Sequence, residues 1–170
     1  KEKHNPKIIR IIKKNLQGVL NLSSERLLIE LKKLVQSGGF LRLYKDKECL
    51  EIIKIIFVQL KNLNIFYNLN KYAESEFFKV DFIFLISLMI IDKSDNSDYF
   101  IYKFNLSKKD QKRIKFLDGF YEKNVNIKFF NEKNLNYIFY FNGLVSLIDI
   151  IQYKLFKSKK VEKDLVKLIN

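Results

Sequence analysis

The fold of this chain depends on residues 21–34, which have the sequence NLSSERLLIELKKL. Ser23 stands directly before a run of helix-favouring residues, where its hydroxyl can accept a hydrogen bond from a free backbone amide. Glu25 falls in the first turn, where the helix dipole favours negative charge. Apolar residues recur at helical spacing and form one stripe, which consists of Leu27, Leu28, Leu31, Leu34 and Val35. The stretch therefore predicts a capped amphipathic helix in a helical protein.

The polar side of this helix carries charged residues with a predicted structural role. Arg26, Glu30 and Lys33 lie at spacings of four and three, close enough to form ion pairs. Glu25 and Arg26 fall in the capped first turn, so we expect them to fix the helix start and its packing. The residues assigned this structural role are Ser24, Glu25, Arg26 and Glu30.

The composition favours helices over sheets. The 170 residues include only 5 Gly and 1 Pro, whereas sandwiches and barrels need frequent turn residues. Hydrophobic residues make up 48% of the chain and aromatic residues 15%, so the chain can bury a core and is not a disordered tail. We expect an all-α fold, an elongated array of roughly nine helices with no sheet of consequence.

Capping signals and helical periodicity place helices along the rest of the chain. Pro6 suits the first turn of a helix because its missing amide costs nothing there, and Gly18 is expected to close that helix. Its buried stripe is expected to consist of Ile8, Ile9, Ile12 and Leu16. Further helices are expected at residues 46–60, 77–91, 107 to about 123, and 131–141 and 144–156, the last two hinged at Gly143.

The net charge of +13 points to an anionic partner. Nucleic acid is the leading candidate, because each phosphate neutralised by Lys or Arg releases counterions, and an acidic membrane surface is the weaker alternative. The lysines at residues 108, 109 and 112 lie near a helix start, where their charge opposes the helix dipole, and this indicates an anionic ligand. For the basic residues at positions 7, 10 and 14, an ordinary solvated helix face is the alternative to a ligand-binding surface. The predicted binding residues are Lys7, Arg10 and Lys14, the first ridge, and Lys108, Lys109, Lys112 and Arg113, the second ridge.

Several motifs resemble, in their order along the chain, elements of one enzyme family. Ser24-Glu25-Arg26-Leu27 with Glu30-Leu31 is similar to the S-x-E-R-hydrophobic…E-L element in the neck of class II bacterial tRNA nucleotidyltransferases (CCA-adding enzymes) and their poly(A) polymerase relatives. Residues 7–18 resemble the neck helix and loop before that element. Residues 55–60 resemble the family's I-F-P-x-L segment, with Val58 where proline is usual, which puts in doubt the helix ending at that point. Residues 85–92 and 104–107 resemble body and tail elements.

The resemblance implies that this chain is the neck, body and tail of such an enzyme, without its catalytic head. Residues 1–75 would form a neck and body domain, and residues 76–170 a body and tail domain. The parent enzyme would add C, C and A to tRNA from CTP and ATP with Mg²⁺, using a head in the same polypeptide or on a separate chain. This portion would bind RNA, tRNA above all, at the acceptor stem and elbow. The alternatives are the same region of a poly(A) polymerase, or a non-enzymatic helical RNA-binding or protein-interaction scaffold.

No catalytic residue, metal site or cofactor site is expected in this chain. Gly38-Gly39 with Asp46 and Glu48 imitates the glycine turn and paired carboxylates that hold Mg²⁺ in nucleotidyltransferase heads. A carboxylate pair of that kind needs a strand, however, and these two residues begin a predicted helix. The single His4 has no Ser or Cys beside it to activate. The acidic residues of the segment 92–98 are expected to form a polar loop that caps the next helix.

The sequence is expected to belong to a cytoplasmic protein. A single cysteine, Cys49, excludes an internal disulfide, suits a reducing compartment and is expected to be a small core or boundary residue. The first seven residues lack the apolar run of a signal peptide. Residues 77–91 are the most apolar segment, but Lys79 and Asp81 interrupt them and they are too short to cross a bilayer.

We predict that this polypeptide alone adds no nucleotides, because the sequence holds no recognisable pair of catalytic carboxylates. Incubation with a tRNA that lacks its CCA end, CTP, ATP and Mg²⁺ should leave the RNA length unchanged on a sequencing gel. Extension by the purified chain would mean that Asp46 and Glu48 form a metal-binding pair after all.

Overall fold

The computed structural model describes residues 5–43, 46–122 and 126–169. These residues form eleven α-helices, two short 3₁₀ helices at Leu63–Tyr67 and Ile127–Phe129, and no strand, so the predicted all-α fold is confirmed with eleven helices instead of nine. The helices are α1 (Pro6–Lys14), α2 (Leu16–Leu20), α3 (Ser24–Gln36), α4 (Gly39–Leu43), α5 (Lys47–Ile56), α6 (Lys71–Glu76), α7 (Phe82–Ile90), α8 (Asn96–Lys103), α9 (Lys108–Glu122), α10 (Glu132–Lys157) and α11 (Lys163–Lys167).

The helix count differs from the prediction partly because the first predicted helix is two helices. Its closure at Gly18 was wrong, since Gly18 lies inside α2. The break falls at Asn15, whose side-chain amide donates a hydrogen bond to the Ile11 carbonyl at 2.9 Å. Asn15 thereby supplies the partner that the last turn of α1 needs, and the chain starts a new helix at once.

The predicted helix ends agree best where a polar side chain caps the first turn. The Ser23 hydroxyl accepts a hydrogen bond from the Arg26 amide at 3.3 Å, and α3 begins at the next residue. Asp81 was expected to lie within an apolar helix at residues 77–91, but the helix α7 begins only after it. The Asp81 carboxylate caps α7 by accepting a hydrogen bond from the Phe84 amide at 2.9 Å. The hinge predicted at Gly143 is present, since its φ of 79° and ψ of 172° interrupt α10.

The centre of the hydrophobic core is α7. Phe82 and every residue from Phe84 to Ile90 are buried, and the helix packs against α3, α8, α9 and α10. Fully burying one large apolar side chain contributes about 1.5–3 kcal/mol, so this short helix is a main source of stability. The buried side chains on both sides of residue 75 form a single cluster. The division into two domains at that point stays a prediction.

A polar network joins α7, α9 and the second half of α10. Arg113 of α9 holds the buried Asp149 of α10 with two hydrogen bonds, from Nε to Oδ2 at 2.5 Å and from an Nη atom to Oδ1 at 2.7 Å. The other Nη atom of Arg113 donates to Oδ2 of Asp81, the residue that caps α7. One guanidinium therefore ties three helices together.

We predict that Asp149→Ala lowers the free energy of unfolding by about 3–5 kcal/mol, because it leaves a largely buried guanidinium without its two-point partner. The matched control is Asp98→Ala, which removes the carboxylate that pairs with Lys115 of the same helix α9 at 2.9 Å. Both of those side chains are more than half exposed, so the control should lose less than about 1 kcal/mol. Urea denaturation followed by circular dichroism measures both values. Equal losses would mean that the buried network does not stabilise the fold.

Candidate nucleic-acid interface

The first ridge lies on the solvent-facing side of α1. Lys7, Arg10 and Lys14 are exposed, and none of the ion pairs among the described residues involves them. α1 packs against α2 and α5, and a 3.2 Å ion pair between Lys13 and Glu48 joins it to α5. The three cations are thus held on an anchored helix with their charges available to a ligand.

The same helix leaves apolar side chains in solvent, contrary to the sequence prediction. Only Ile9 of the predicted stripe is buried, while Ile8, Ile11 and Ile12 are 52%, 61% and 36% exposed. The prediction failed because α1 is covered on the one face that carries Ile9, and a spacing pattern does not say how much of a helix its neighbours cover. The outer surface of α1 is therefore both basic and apolar.

The second ridge starts at the first turn of α9. Lys108, Lys109 and Lys112 are exposed, as a phosphate-binding surface requires. The cap predicted from the sequence is present: the Ser107 hydroxyl accepts from the Asp110 amide at 3.2 Å and donates to the Asp110 carboxylate at 2.7 Å. This acid offsets part of the repulsion between the lysines and the positive end of the helix.

Arg113 does not share the surface of the other second-ridge residues. Its side chain is 17% exposed and its guanidinium is occupied by Asp149 and Asp81. Burial alone would lower the pKa of Arg113, but the two carboxylates raise it, so the group stays charged. For the acid Asp149 the effect of burial is the opposite: burial raises the pKa of its carboxyl, and the contact with Arg113 opposes that rise. The geometry gives Arg113 a structural position.

Lys115 extends the outer side of α9 and was missed in the sequence. Lys112 follows Lys108 by four residues and Lys115 follows Lys112 by three, which places the three lysines along one stripe of the helix. The spacing alone would have identified it. Its ammonium pairs with Asp98 at 2.9 Å, so it is less available than the other two.

The two ridges belong to different parts of the helix packing. α1 lies against α2 and α5, whereas α9 lies against α7, α8 and α10. The two helices that carry the ridges therefore share none of these packing neighbours.

Helix α3 is the capped amphipathic helix that its sequence predicts, whereas the structural role expected of the Glu25 and Arg26 side chains stays a prediction. Leu27, Leu31 and Val35 are buried, and Leu28 and Leu34 are partly buried. Glu30 pairs with Lys33 at 2.8 Å on the polar face. Ser24 is partly buried in the first turn, next to the exposed Glu25 and Arg26. The backbone of Arg26, and not its guanidinium, makes the contact with the cap.

An exposed aromatic stripe on the first half of α10 was not anticipated. Tyr137, Tyr140 and Phe141 are 62%, 82% and 62% exposed, and Lys133 lies one turn before Tyr137. The Phe141 ring lies 4.5 Å from that of Tyr137 and 5.0 Å from that of Tyr140, measured between centroids. The aromatic residues of α8 and its C-cap divide between the core and the surface. Phe100 and Phe104 are buried in the core, while Tyr99 and Tyr102 are exposed.

The acidic residues that imitated a metal-binding pair have other contacts. Asp46 caps α5 by accepting from the Cys49 amide at 3.1 Å, and Glu48 pairs with Lys13. Asp92 accepts hydrogen bonds from the amide and hydroxyl of Ser94, which fold the loop before α8. Within the described ranges, no group of three or more His, Cys, Asp and Glu side chains could hold a metal ion. His4 lies outside those ranges.

Cys49 is partly buried at the start of α5, as expected of a boundary residue. Burial, followed by the hydrogen bond and negative charge of Asp46 and the charge of Glu48, raises the pKa of its thiol to about 11. A thiol with so high a pKa is largely protonated at neutral pH and a poor nucleophile.

No known protein family, curated protein or solved structure matches this chain. The described helices include none that is both long and apolar enough to cross a lipid bilayer.

We predict that Ser23→Ala destabilises the protein by about 1 kcal/mol, because it removes the oxygen that satisfies the Arg26 amide. Arg26→Ala, the neighbouring control, should change the free energy of unfolding by less than about 0.5 kcal/mol, since its exposed side chain takes no part in the cap. Thermal unfolding of both variants tests this. A larger loss for Arg26→Ala would mean that its guanidinium, and not the Ser23 hydroxyl, fixes the helix start.

Proposed function

We propose that this chain is an RNA-binding helical module, the tRNA-binding portion of a CCA-adding tRNA nucleotidyltransferase. The observation that carries the proposal is the exposure of Lys7, Arg10 and Lys14 on α1 and of Lys108, Lys109 and Lys112 on α9. Six cations on two anchored helices, in a chain of net charge +13, suit a polyanion better than a neutral partner.

RNA is the polyanion that fits these surfaces best. Duplex RNA is recognised through its shape and its phosphates, which requires positive charge on rigid elements and no sequence-reading helix. The start of α9 carries three lysines beside the positive end of the helix, an arrangement that phosphate would relieve. The exposed rings of Tyr137, Tyr140 and Phe141 could stack on unpaired bases, which folded RNAs present in loops and ends.

The CCA-adding context comes from the resemblance of the neck, body and tail motifs. In that context the chain would hold the tRNA acceptor end for a head domain that binds CTP, ATP and Mg²⁺, in the cytoplasm. The all-α fold and the capped amphipathic helix α3 agree with this expectation. The head would lie in the same polypeptide or on a separate chain.

A second candidate function is a protein-interaction scaffold. The observation that favours it is that Ile8, Ile11 and Ile12 on α1 are apolar side chains exposed to solvent, which could pack against another protein. The same region of a poly(A) polymerase is the candidate within the family, and it would bind RNA without a preference for tRNA.

The second ridge provides the direct test of RNA binding. Changing Lys108, Lys109 and Lys112 to Glu should weaken tRNA binding and make the slope of log affinity against log salt shallower by up to about one unit per lost contact. The control changes three exposed lysines outside the ridges, Lys32, Lys54 and Lys61, to Glu and so has the same net charge. It should keep most of the parent's slope. Filter binding from low to moderate salt measures all three proteins.

The outcomes separate the candidates. Equal slopes for the ridge variant and the control would mean that the second ridge is only a solvated surface. Weak, salt-insensitive binding by the parent itself would favour the scaffold. An unstructured RNA of the same length that binds as tightly as tRNA would favour the poly(A) polymerase context.

A further inference from the structure

An exposed group of aromatic side chains lies on the first half of α10. Tyr140 and Phe141 lie three and four residues after Tyr137, so the three form one stripe along the helix, the aromatic stripe. Each of them is more than 60% exposed. Leu135 and Ile138, from the same turns, are buried. The core therefore holds this half-helix by its inner side, and the aromatic stripe faces away from that packing.

The three rings of the stripe hold one another in place. The Phe141 ring contacts both tyrosine rings, and it is tilted by 44° against Tyr137 and by 80° against Tyr140. Within the described ranges, neither tyrosine ring contacts any other ring, and neither tyrosine hydroxyl makes a hydrogen bond. Each tyrosine therefore offers both ring surface and a polar hydroxyl group to a partner.

The charges along this half of α10 suit a negatively charged ligand. Residues 133–148 contain no Asp and no Glu, and Lys133 lies one turn before Tyr137 on the same side of the helix. Glu132, in the first turn, is five residues from Tyr137, so it lies on another side. α10 also packs against α9, whose first turns carry the lysines of the second ridge. A polyanion on the stripe would thus meet a cation of this half-helix and no carboxylate on the same side.

The kink at Gly143 leaves the end of the aromatic stripe open. Its φ of 79° lies in the left-handed region that glycine adopts easily and other residues rarely adopt. Apart from the adjoining backbone, no atom lies within 4 Å of the position where a side chain at residue 143 would begin. The fold therefore does not obstruct a ligand that runs along the stripe past this point.

The chemistry of the stripe favours one kind of occupant. An apolar protein surface would bury the hydroxyl groups of Tyr137 and Tyr140 without hydrogen-bond partners, which is unfavourable. A second copy of the chain would bring another molecule of net charge +13 against this one. An unpaired nucleotide has a flat base that stacks on an aromatic ring, a polar edge that can bond to a hydroxyl group, and a phosphate that Lys133 can meet.

We propose that Tyr137, Tyr140 and Phe141 form a stacking site for unpaired nucleotides of an RNA. The inference rests on the proposed RNA-binding function and adds a second kind of contact to it, since the ridges meet phosphates and the stripe meets bases. Every base has a face that can stack, so the site selects unpaired over paired nucleotides and does not select a sequence.

The first test uses the unaltered chain and three RNA hairpins. One hairpin has a blunt end, one has a short 3′ overhang, and one has an overhang with the same sugar–phosphate backbone but no bases. The two overhangs carry equal charge, so a difference between them reports on the bases alone. Fluorescence anisotropy should show roughly fivefold or tighter binding to the complete overhang than to the abasic one, as one stacked base implies. Equal affinities would overturn the proposal.

A pair of matched variants assigns the base contact to the stripe. Tyr137→Ala with Tyr140→Ala removes two rings of the stripe. Tyr99→Ala with Tyr102→Ala is the control, which removes two rings of α8 that are 60% and 87% exposed. The stripe variant should bind the complete and the abasic overhang alike, whereas the control should keep the parent's preference. A preference that is lost in both variants, or in neither, would refute the assignment.

Photo-cross-linking of the unaltered chain guards against a variant that fails to fold. An overhang that contains 5-bromouridine should cross-link to Tyr137, Tyr140 or Phe141, and mass spectrometry of the peptides locates the linkage. Cross-links confined to other residues would contradict the proposed site. Sedimentation velocity without RNA tests the other occupant: parent dimers that disappear in the stripe variant would assign the stripe to a second copy and overturn the proposal.

The blunt hairpin separates this inference from the function on which it rests. If the parent binds the blunt hairpin but gains nothing from the bases of the overhang, the RNA-binding function stands and the stacking site is refuted. If the parent binds only the complete overhang, the stacking site stands and the duplex contacts of the ridges are refuted. If the parent binds no hairpin even at low salt, both proposals fail.

Discussion

The structure depends most on the contact between Arg113 and the carboxylates of Asp149 and Asp81. Asp149 is 2% exposed, so its charge is tolerated only because a guanidinium meets it with two parallel hydrogen bonds. Asp81 contributes in two ways, because the same carboxylate caps α7 and accepts from Arg113. The start of the most buried helix, the middle of α9 and the second half of α10 are thereby fixed relative to one another. The apolar side chains of α7 therefore pack against helices whose relative positions this contact holds.

This contact also explains why one basic residue of the second ridge differs from its neighbours. In the sequence, Arg113 continues a run of positive charge, and nothing local marks it as internal. Its partners are 32 and 36 residues away, which places the pairing beyond the reach of any pattern within one helix. The division is useful to the protein, because stability depends on Arg113 while the exposed lysines remain available to a ligand. Substitutions of those lysines can therefore report on binding without disturbing the core.

The features that could be predicted from the sequence are those that neighbouring residues determine. Ser23 and Ser107 cap their helices, Gly143 interrupts α10, and Leu27, Leu31 and Val35 face the core. Helical spacing identified an all-α chain, but it could not count short helices such as α4 and α6, which packing stabilises and propensity alone does not. Spacing also failed for Ile8 and Ile12, because exposure depends on which elements cover a helix.

The kink at Gly143 separates two parts of α10 that differ in how firmly they are held. Beyond it, Ile150, Ile151, Leu155 and Phe156 are buried in the core, whereas the first half presents Tyr140 and its neighbours to solvent. The second half also carries Asp149, Tyr153 and Lys157 at a spacing of four, so the three lie on one side of the helix on consecutive turns. Since Arg113 fixes Asp149, it also sets the rotation of this half-helix about its axis. The ion pair that stabilises the core thus also sets the direction in which this side of the helix faces, where Lys157 donates a hydrogen bond to the Tyr153 hydroxyl.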